Sequence, residues 1–287
     1  MNTIIQDQNT EPFLRLLKAQ NSAYNKAKKF QIIDIVSILI ALSPTVLLLF
    51  DLNHATLVAV IGVIWTLISI FSQVFMDKQT KTGAIIQDQF DTDLFKIERN
   101  EILVGDKIEI SKILELSKPN KNENLTNWYS TKINTSLKHE IAVLLAYKCN
   151  AIWGKSQRKQ FTLFIKVMIV LYYGGMIALS LYKNTGLFDL IVWLAPSIPA
   201  LVFGTTTIKA QNGIIETYER INKIIDDLYK DFKENNKLPS KIELRQIQDL
   251  YYTQRLISNK VPNWFYNIFK KKTEGIADES IEIMINE

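Results

Sequence analysis

The sequence predicts an all-α membrane protein: four transmembrane helices in two hairpins, with a helical cytoplasmic domain formed by the central insert and the C-terminal helices. Three observations carry that prediction. Apolar residues gather in four runs, 35–50, 55–75, 167–182 and 190–208, each near the roughly 20 residues that one helix needs to cross a bilayer. Short loops, 51–54 and 183–186, join the runs into two pairs. The polar stretches outside them carry apolar stripes at spacings of three and four, the helical period.

Topology follows from the cations beside the runs. Lys26, Lys28 and Lys29 precede the first, Lys78 and Lys81 follow the second, Lys155, Arg158 and Lys159 precede the third, and Lys209 follows the fourth. The two hairpin loops hold a single Lys between them. The positive-inside rule then places both termini and the central insert in the cytoplasm of a multi-pass protein. The chain divides into an N-terminal cytoplasmic or interfacial helix (1–30), a first transmembrane hairpin (31–76), a cytoplasmic insert (77–160), a second hairpin (161–209) and a C-terminal cytoplasmic helical region (210–287). The N-terminus lacks a short apolar run with a cleavage site, so the first span is expected to act as its own insertion signal.

In chain order, residues 1–11 are polar and are expected to fray. A helix begins near Pro12, with Phe13, Leu14, Leu16 and Leu17 as its apolar side. It either lies on the membrane surface or runs directly into the first span. Pro44 implies a kink in that span. In the second span Ala59, Gly62, Thr66, Ser69 and Gln73 share one helical face, a small and faintly polar stripe suited to close helix packing or to lining water. Asp34 and Lys166 each lie near the cytoplasmic end of a span, where a mutual ion pair is the specific expectation.

The insert continues as a helix over 79–87 and then reads as an irregular acidic stretch over 88–95. Asp88, Asp91 and Asp93 raise a divalent-cation site, against the plainer reading of a solvated turn that ends the helix. Val104-Gly105-Asp106 marks a turn, and a short helix follows to Leu116. From Ser136 a long helix with Ile141, Leu144, Leu145 and Ile152 on its buried side is expected to run into the third span. Pro196 and Pro199 predict a bent or broken fourth span. Beyond it, Ile214, Tyr218, Ile221, Ile225, Leu228 and Phe232 form a stripe. Ser240 then caps another helix, which residues 261–266 bring to an end.

Catalytic patterns are thin. His54 and His139 are the only histidines and neither has neighbours at metal-ligand spacing. The sequence has no phosphate-cradling glycine loop and no nucleophile signature, so neither an enzyme nor a metal or cofactor is expected. Cys149 is the only cysteine, which excludes an intrachain disulfide. A net charge of +5 suits contact with an anionic bilayer surface and is too dispersed for a nucleic-acid duplex.

The run from Gln87 to Phe95, then Asn127-Trp128-Tyr129, then Asn150 with Trp153 and Arg158 resemble the cytoplasmic motifs of the SMODS-associating four-transmembrane effectors. Leu244-Arg245-Gln246-Ile247-Gln248-Asp249, with Tyr251 and Arg255, and the segment from Val261 to Tyr266 are similar too. The resemblance covers about residues 10 to 275. Two departures stand out: Lys96-Ile97-Glu98-Arg99 in place of a Pro-Trp pair before Asn100, and Gly154 in place of an acidic residue.

The resemblance implies a CBASS-type effector of bacterial anti-phage defence in the inner membrane. There a cyclic nucleotide from a cognate CD-NTase synthase gates a homo-oligomeric pore, and abortive infection follows. An anionic nucleotide favours Arg for its phosphates and aromatic faces for its bases, which nominates Arg99, Trp128, Tyr129, Trp153, Arg158, Arg245 and Arg255. Their plainer use is to stitch cytoplasmic helices together. The competing function is a membrane-anchored scaffold that recruits a cytoplasmic partner without forming a pore.

Overall fold

Four long helices set the architecture: α2 (Glu11–Leu49), α3 (Ala55–Phe95), α6 (His139–Tyr182) and α8 (Ile198–Asn235). At 1.5 Å per residue each is about 57–66 Å long, twice the roughly 30 Å of a bilayer's hydrocarbon core. The computed structural model describes residues 2–49, 55–120, 125–257 and 260–286, apart from the side chains of 34, 35, 37, 38, 41, 44–49, 55–63, 66, 69, 196 and 199. Among the described residues there is no strand. The shorter helices are α1 (Ile4–Asp7), α4 (Glu101–Val104), α5 (Ile110–Ser117), α7 (Leu187–Leu194), α9 (Lys241–Arg255) and α10 (Asn263–Asn286). Helix α2 packs along α3, α6 along α8, α10 against α6, and α5 against α2.

Each long helix has two unlike halves. One half enters a single core, in which Leu17 of α2, Phe90 of α3, Ile225 of α8, Ile247 of α9 and Ile281 of α10 surround α6. Seven consecutive residues of α6, Ile141 through Tyr147, are fully buried, as expected of a helix apolar on every side and enclosed by others. The insert and the C-terminal helices therefore form one body. The other half turns apolar side chains outward. Ile64, Leu67, Phe71 and Phe75 of α3, Val167, Leu171 and Leu181 of α6, Phe188 and Ile191 of α7 and Val202 of α8 are all exposed. Among the described residues α6 is the one helix long and apolar enough to cross a membrane.

Several expectations hold. Residues 11–49 form one helix, so the N-terminal segment runs on toward the first apolar run instead of lying apart from it. Helix α6 is continuous from the core through the third run. The fourth run is divided at Ala195–Ser197, a 3-10 turn between α7 and α8. Ser240 caps α9 in a capping box with Glu243.

Three expectations are corrected. The polar N-terminus is folded onto the body, with Asn2, Ile4 and Gln8 buried: Asn2 Nδ2 donates to the carbonyls of Asn134 and Leu137, at 2.8 and 3.2 Å. Gln8 Oε1 accepts the Tyr129 N–H at 2.8 Å while its Nε2 donates to the Tyr129 carbonyl. Residues 125–138 form no helix, and these amides satisfy backbone groups that would otherwise be orphaned on burial. Residues 88–95 are the last turns of α3, not an irregular stretch. The segment at 261–266 begins a third C-terminal helix, α10, where the sequence reading ended the second.

Candidate functional site: a closed ion-pair network and an open cationic cluster

Asp88 and Asp91 lie three residues apart on α3, so both carboxylates emerge on one face. Both are fully buried. Their partners come from α9, far along the chain, from Tyr129, and from the connector just after α3. Helix α3 stops at Phe95 because Lys96 takes a left-handed conformation (φ 54°) and the Ile97 N–H returns to the Thr92 carbonyl at 3.1 Å. This reversal carries Arg99 back over Asp88, with Nε 3.5 Å from Oδ2. The Lys96-to-Arg99 departure from the resembled pattern is thus the segment that completes this contact.

From α9, Arg245 reaches Asp88 Oδ1 at 3.3 Å and its own Asp249 at 2.7 Å. Gln248 Nε2 donates to Asp88 Oδ1 at 3.0 Å and to Asp91 Oδ2 at 3.2 Å, bridging the two carboxylates. Arg255 meets Asp91 Oδ2 at 2.6 Å, and the Tyr129 hydroxyl donates to Asp91 Oδ1 at 2.6 Å. Asn150 Nδ2 approaches the Tyr129 hydroxyl at 3.4 Å, and Asn100 Nδ2 donates to Asp249 at 2.9 Å. Burial, with the Asp91 charge beside it, drives the Tyr129 hydroxyl well above its ordinary value and keeps it a donor. Burial works against the Arg255 charge, but Asp91 and the surrounding tyrosines hold its guanidinium protonated.

The network balances three guanidiniums against three carboxylates. It is a clamp between α3, α9 and the 127–129 segment, and a cation site at Asp88 and Asp91 would compete with Arg99, Arg245 and Arg255. Asp93 turns away to Lys107 at 3.0 Å. Among the described residues no group of three metal-ligating side chains is present.

Trp153 and Arg158 belong to a second place. Trp153 packs edge-on against Tyr266 of α10, with ring centres 5.2 Å apart. Phe161 and Phe164 of α6 hold Phe265 and Trp264 in the same way. Arg158 donates to Gln211 Oε1 at 2.5 Å. Lys28 of α2 donates to Asn263 Oδ1 at 2.5 Å, and Lys260 donates to the Arg255 carbonyl at 2.7 Å with its ammonium 4.9 Å from the Tyr24 ring centre. Next to Trp153, Gly154 lets Tyr218 of α8 cross closely: a Cβ there would lie 2.5 Å from the Tyr218 ring.

The remaining predicted positions are placed as follows. Trp128 packs on the core with its indole Nε1 buried and without an acceptor. Gln73 and Lys166 are exposed. The side chains of Asp34, Ala59, Gly62, Thr66 and Ser69 lie outside the described residues, and with them the Asp34–Lys166 pair and most of the small-residue stripe. Sequence reasoning missed Lys28, Lys260 and the bridging role of Gln248. The one local signal for the clamp was the three-residue spacing of two aspartates on a helix, and nothing local marks Lys260 as buried.

The motif residues thus converge on two places: Asp88, Asp91, Tyr129, Asn150, Arg245 and Arg255 on the clamp, Trp153, Arg158 and Tyr266 on the cluster. A curated relative from Bacillus cereus, named as a probable CBASS effector molecule, is 29% identical over 284 residues, with 94% of each chain covered. No solved structure matches the chain. The SMODS-associating 4TM effector domain matches residues 2–284, and the chain belongs to that family.

Proposed function

We propose that this protein is the membrane effector of a CBASS-type anti-phage system. In this reading its four apolar runs cross the inner membrane in two hairpins with both termini cytoplasmic. A cyclic oligonucleotide from a cognate synthase gates it, and copies assemble to permeabilise the membrane of the infected cell. The observation that carries the reading is the division of the long helices. Their apolar halves turn large side chains outward, Leu67, Phe71 and Phe75 on α3 and Val170, Leu171 and Leu181 on α6, where a soluble protein would bury them. Their other halves share one buried core with the C-terminal helices.

A bundle of four helices is too narrow to enclose a wide water path, so the pore is built between subunits. The stripe of Ala59, Gly62, Thr66, Ser69 and Gln73 then lines either the subunit contact or the water path. Because α3 runs unbroken from that stripe to Asp88 and Asp91, a displacement of the clamp moves the stripe as one rod. Dissipating the membrane potential arrests growth, and the reading needs no enzymatic step.

The test expresses the protein with and without its cognate synthase and follows a potential-sensitive dye and growth. Depolarisation that requires both proteins supports the reading, and an unchanged potential with messenger present refutes it. Leucine at Thr66, Ser69 and Gln73 separates a pore from a scaffold: a pore loses conductance, whereas a scaffold keeps its phenotype.

A further inference from the structure

The basic side chains that pack on or beside the core differ in what neutralises them. Arg99, Arg245 and Arg255 are committed to Asp88, Asp91 and Asp249. In the groove between α6, α8 and α10, Lys148 pairs with Asp226, while Lys155 and Lys159 share Glu219. Lys28, Arg158 and Lys260 differ. They come from α2, α6 and the segment before α10, and none has a carboxylate partner among the described residues. Their contacts are neutral oxygens, from Asn263, Gln211 and the Arg255 backbone, and the faces of Tyr266 and Tyr24.

Such a cluster opposes itself. Lys260 is buried, at 9% exposure, and Lys28 is half-buried. Burial first, then the nearby charges of Arg158, Lys28 and Arg255, push the Lys260 ammonium well below its ordinary value; burial and Arg158 bring Lys28 down to about 8. Buried cations held together without an anion are costly, and structures supply a counter-charge where one is available. Helix α10, 24 residues long, starts at Asn263 beside them, so its N-terminal N–H groups and dipole add positive potential at the same place. Trp153 closes the side with its indole Nε1 buried and lacking an acceptor.

We propose that Lys28, Arg158 and Lys260 form a binding site for a phosphodiester anion, walled by Tyr24, Tyr266 and Trp153. Two sources offer that chemistry. The cluster lies at the membrane-facing end of the body, since Arg158 and Lys28 each precede an apolar run within about two turns, which suits a phospholipid headgroup. The internucleotide phosphate of a cyclic oligonucleotide is the other, and that arm rests on the gating reading above. Asn25, Asn263 and Gln31 supply polar contacts at the edge.

The experiment uses the full chain in detergent and measures thermal stability and affinity. Its probes are a cyclic dinucleotide, inorganic pyrophosphate, and vesicles of phosphatidylglycerol or phosphatidylcholine. At least one anionic probe should stabilise the wild type, and Lys28→Met with Lys260→Met should weaken its binding about tenfold or more. Lys132→Met, outside the cluster, should leave binding unchanged. Phosphatidylglycerol acting alone assigns the site to lipid, and the dinucleotide acting alone assigns it to the messenger.

Wild-type protein supplies a second measurement should the double variant fold poorly: affinity should fall between about pH 7 and pH 9 as Lys28 loses its proton. Dinucleotide binding that survives the double variant overturns the site and leaves the gating function standing. Loss of dinucleotide binding in the wild type, with pyrophosphate or lipid still held by the cluster, does the reverse. If no anionic probe binds, the site is overturned.

Discussion

Replacing Asp91 with Leu tests the clamp most directly. Asp91 is fully buried and holds Arg255 at 2.6 Å, the Tyr129 hydroxyl at 2.6 Å and Gln248 at 3.2 Å. Leucine strands a buried guanidinium, which costs about 3–5 kcal/mol, and an orphaned hydroxyl adds about 1–3 kcal/mol. Taking about 4 kcal/mol and about 2 °C per kcal/mol, Tm should fall by at least about 8 °C. Asp93→Leu provides the contrast, because its Lys107 partner is half-exposed and such a pair contributes under about 1 kcal/mol. Adding Arg255→Leu and Tyr129→Phe to Asp91→Leu should recover more than half the loss, since no buried charge is then left alone. The assay is thermal unfolding of the full chain in detergent, followed by tryptophan fluorescence. Asp91→Leu and Asp93→Leu melting within about 2 °C of each other would refute the clamp.

Three further predictions use other parts of the body. Gly154→Ala forces a methyl into the Tyr218 ring and should cost about 1–3 kcal/mol, with Tyr218→Leu restoring stability in the same background; a Gly154→Ala protein as stable as wild type would show that α6 and α8 can separate freely. Burial pushes the Cys149 thiol up to about 12, so the folded protein should react with iodoacetamide at pH 8 far more slowly than the urea-unfolded chain, and equal rates would contradict the packing around it. Lys28 and Lys260 have folded pKa values below their unfolded ones, so the unfolded chain binds more protons above about pH 8 and ligand-free stability should rise from there toward pH 9.5. Tyr129, Tyr147 and Tyr251 are shifted the other way, so the gain should reverse as pH passes about 10. A melting temperature that falls steadily from pH 7.5 to 9.5 contradicts the lysine assignment.

What the sequence revealed and what it hid follow from the range of each signal. Helix α6 was legible because its apolar run and its core stripe are both local, and so was the Ser240 cap, which needs only Glu243 three residues on. The break between α7 and α8 was legible from Pro196. The buried N-terminus was not, because Asn2 and Gln8 are polar for the sake of backbone groups more than a hundred residues away. Asp88 and Asp91 read as solvated for the same reason: Gln248 lies 160 and 157 residues further along the chain. Among the nominated ligand residues, composition could not separate Arg255, which is neutralised by Asp91, from Arg158, which has no carboxylate. Only the fold distinguishes a cation that is used from one that is open.

That distinction has a mechanical consequence. Lys28 extends from α2, which leads into the first hairpin, and Arg158 from α6, which leads into the second. Empty, the cluster holds like charges on two helices that pack on different neighbours, α2 along α3 and α6 along α8 and α10, and the Arg158 charge makes that of Lys28 costlier. A phosphodiester between them converts that repulsion into two attractions, so α2 and α6 should draw together at the cluster. Because both helices continue unbroken past the cluster, the movement is delivered into the apolar halves without a hinge. Spin labels at Lys29→Cys and Lys159→Cys, both exposed, in a Cys149→Ser background should report the change. Helix shifts of this kind are roughly 1–2 Å, so the anionic probe that binds should narrow and shorten the distance distribution by about that much. The Lys260→Met background should keep the ligand-free distribution when the probe is added. An unchanged distribution in the wild type, under conditions where the probe is bound, would separate occupancy of the site from any role in moving the hairpins.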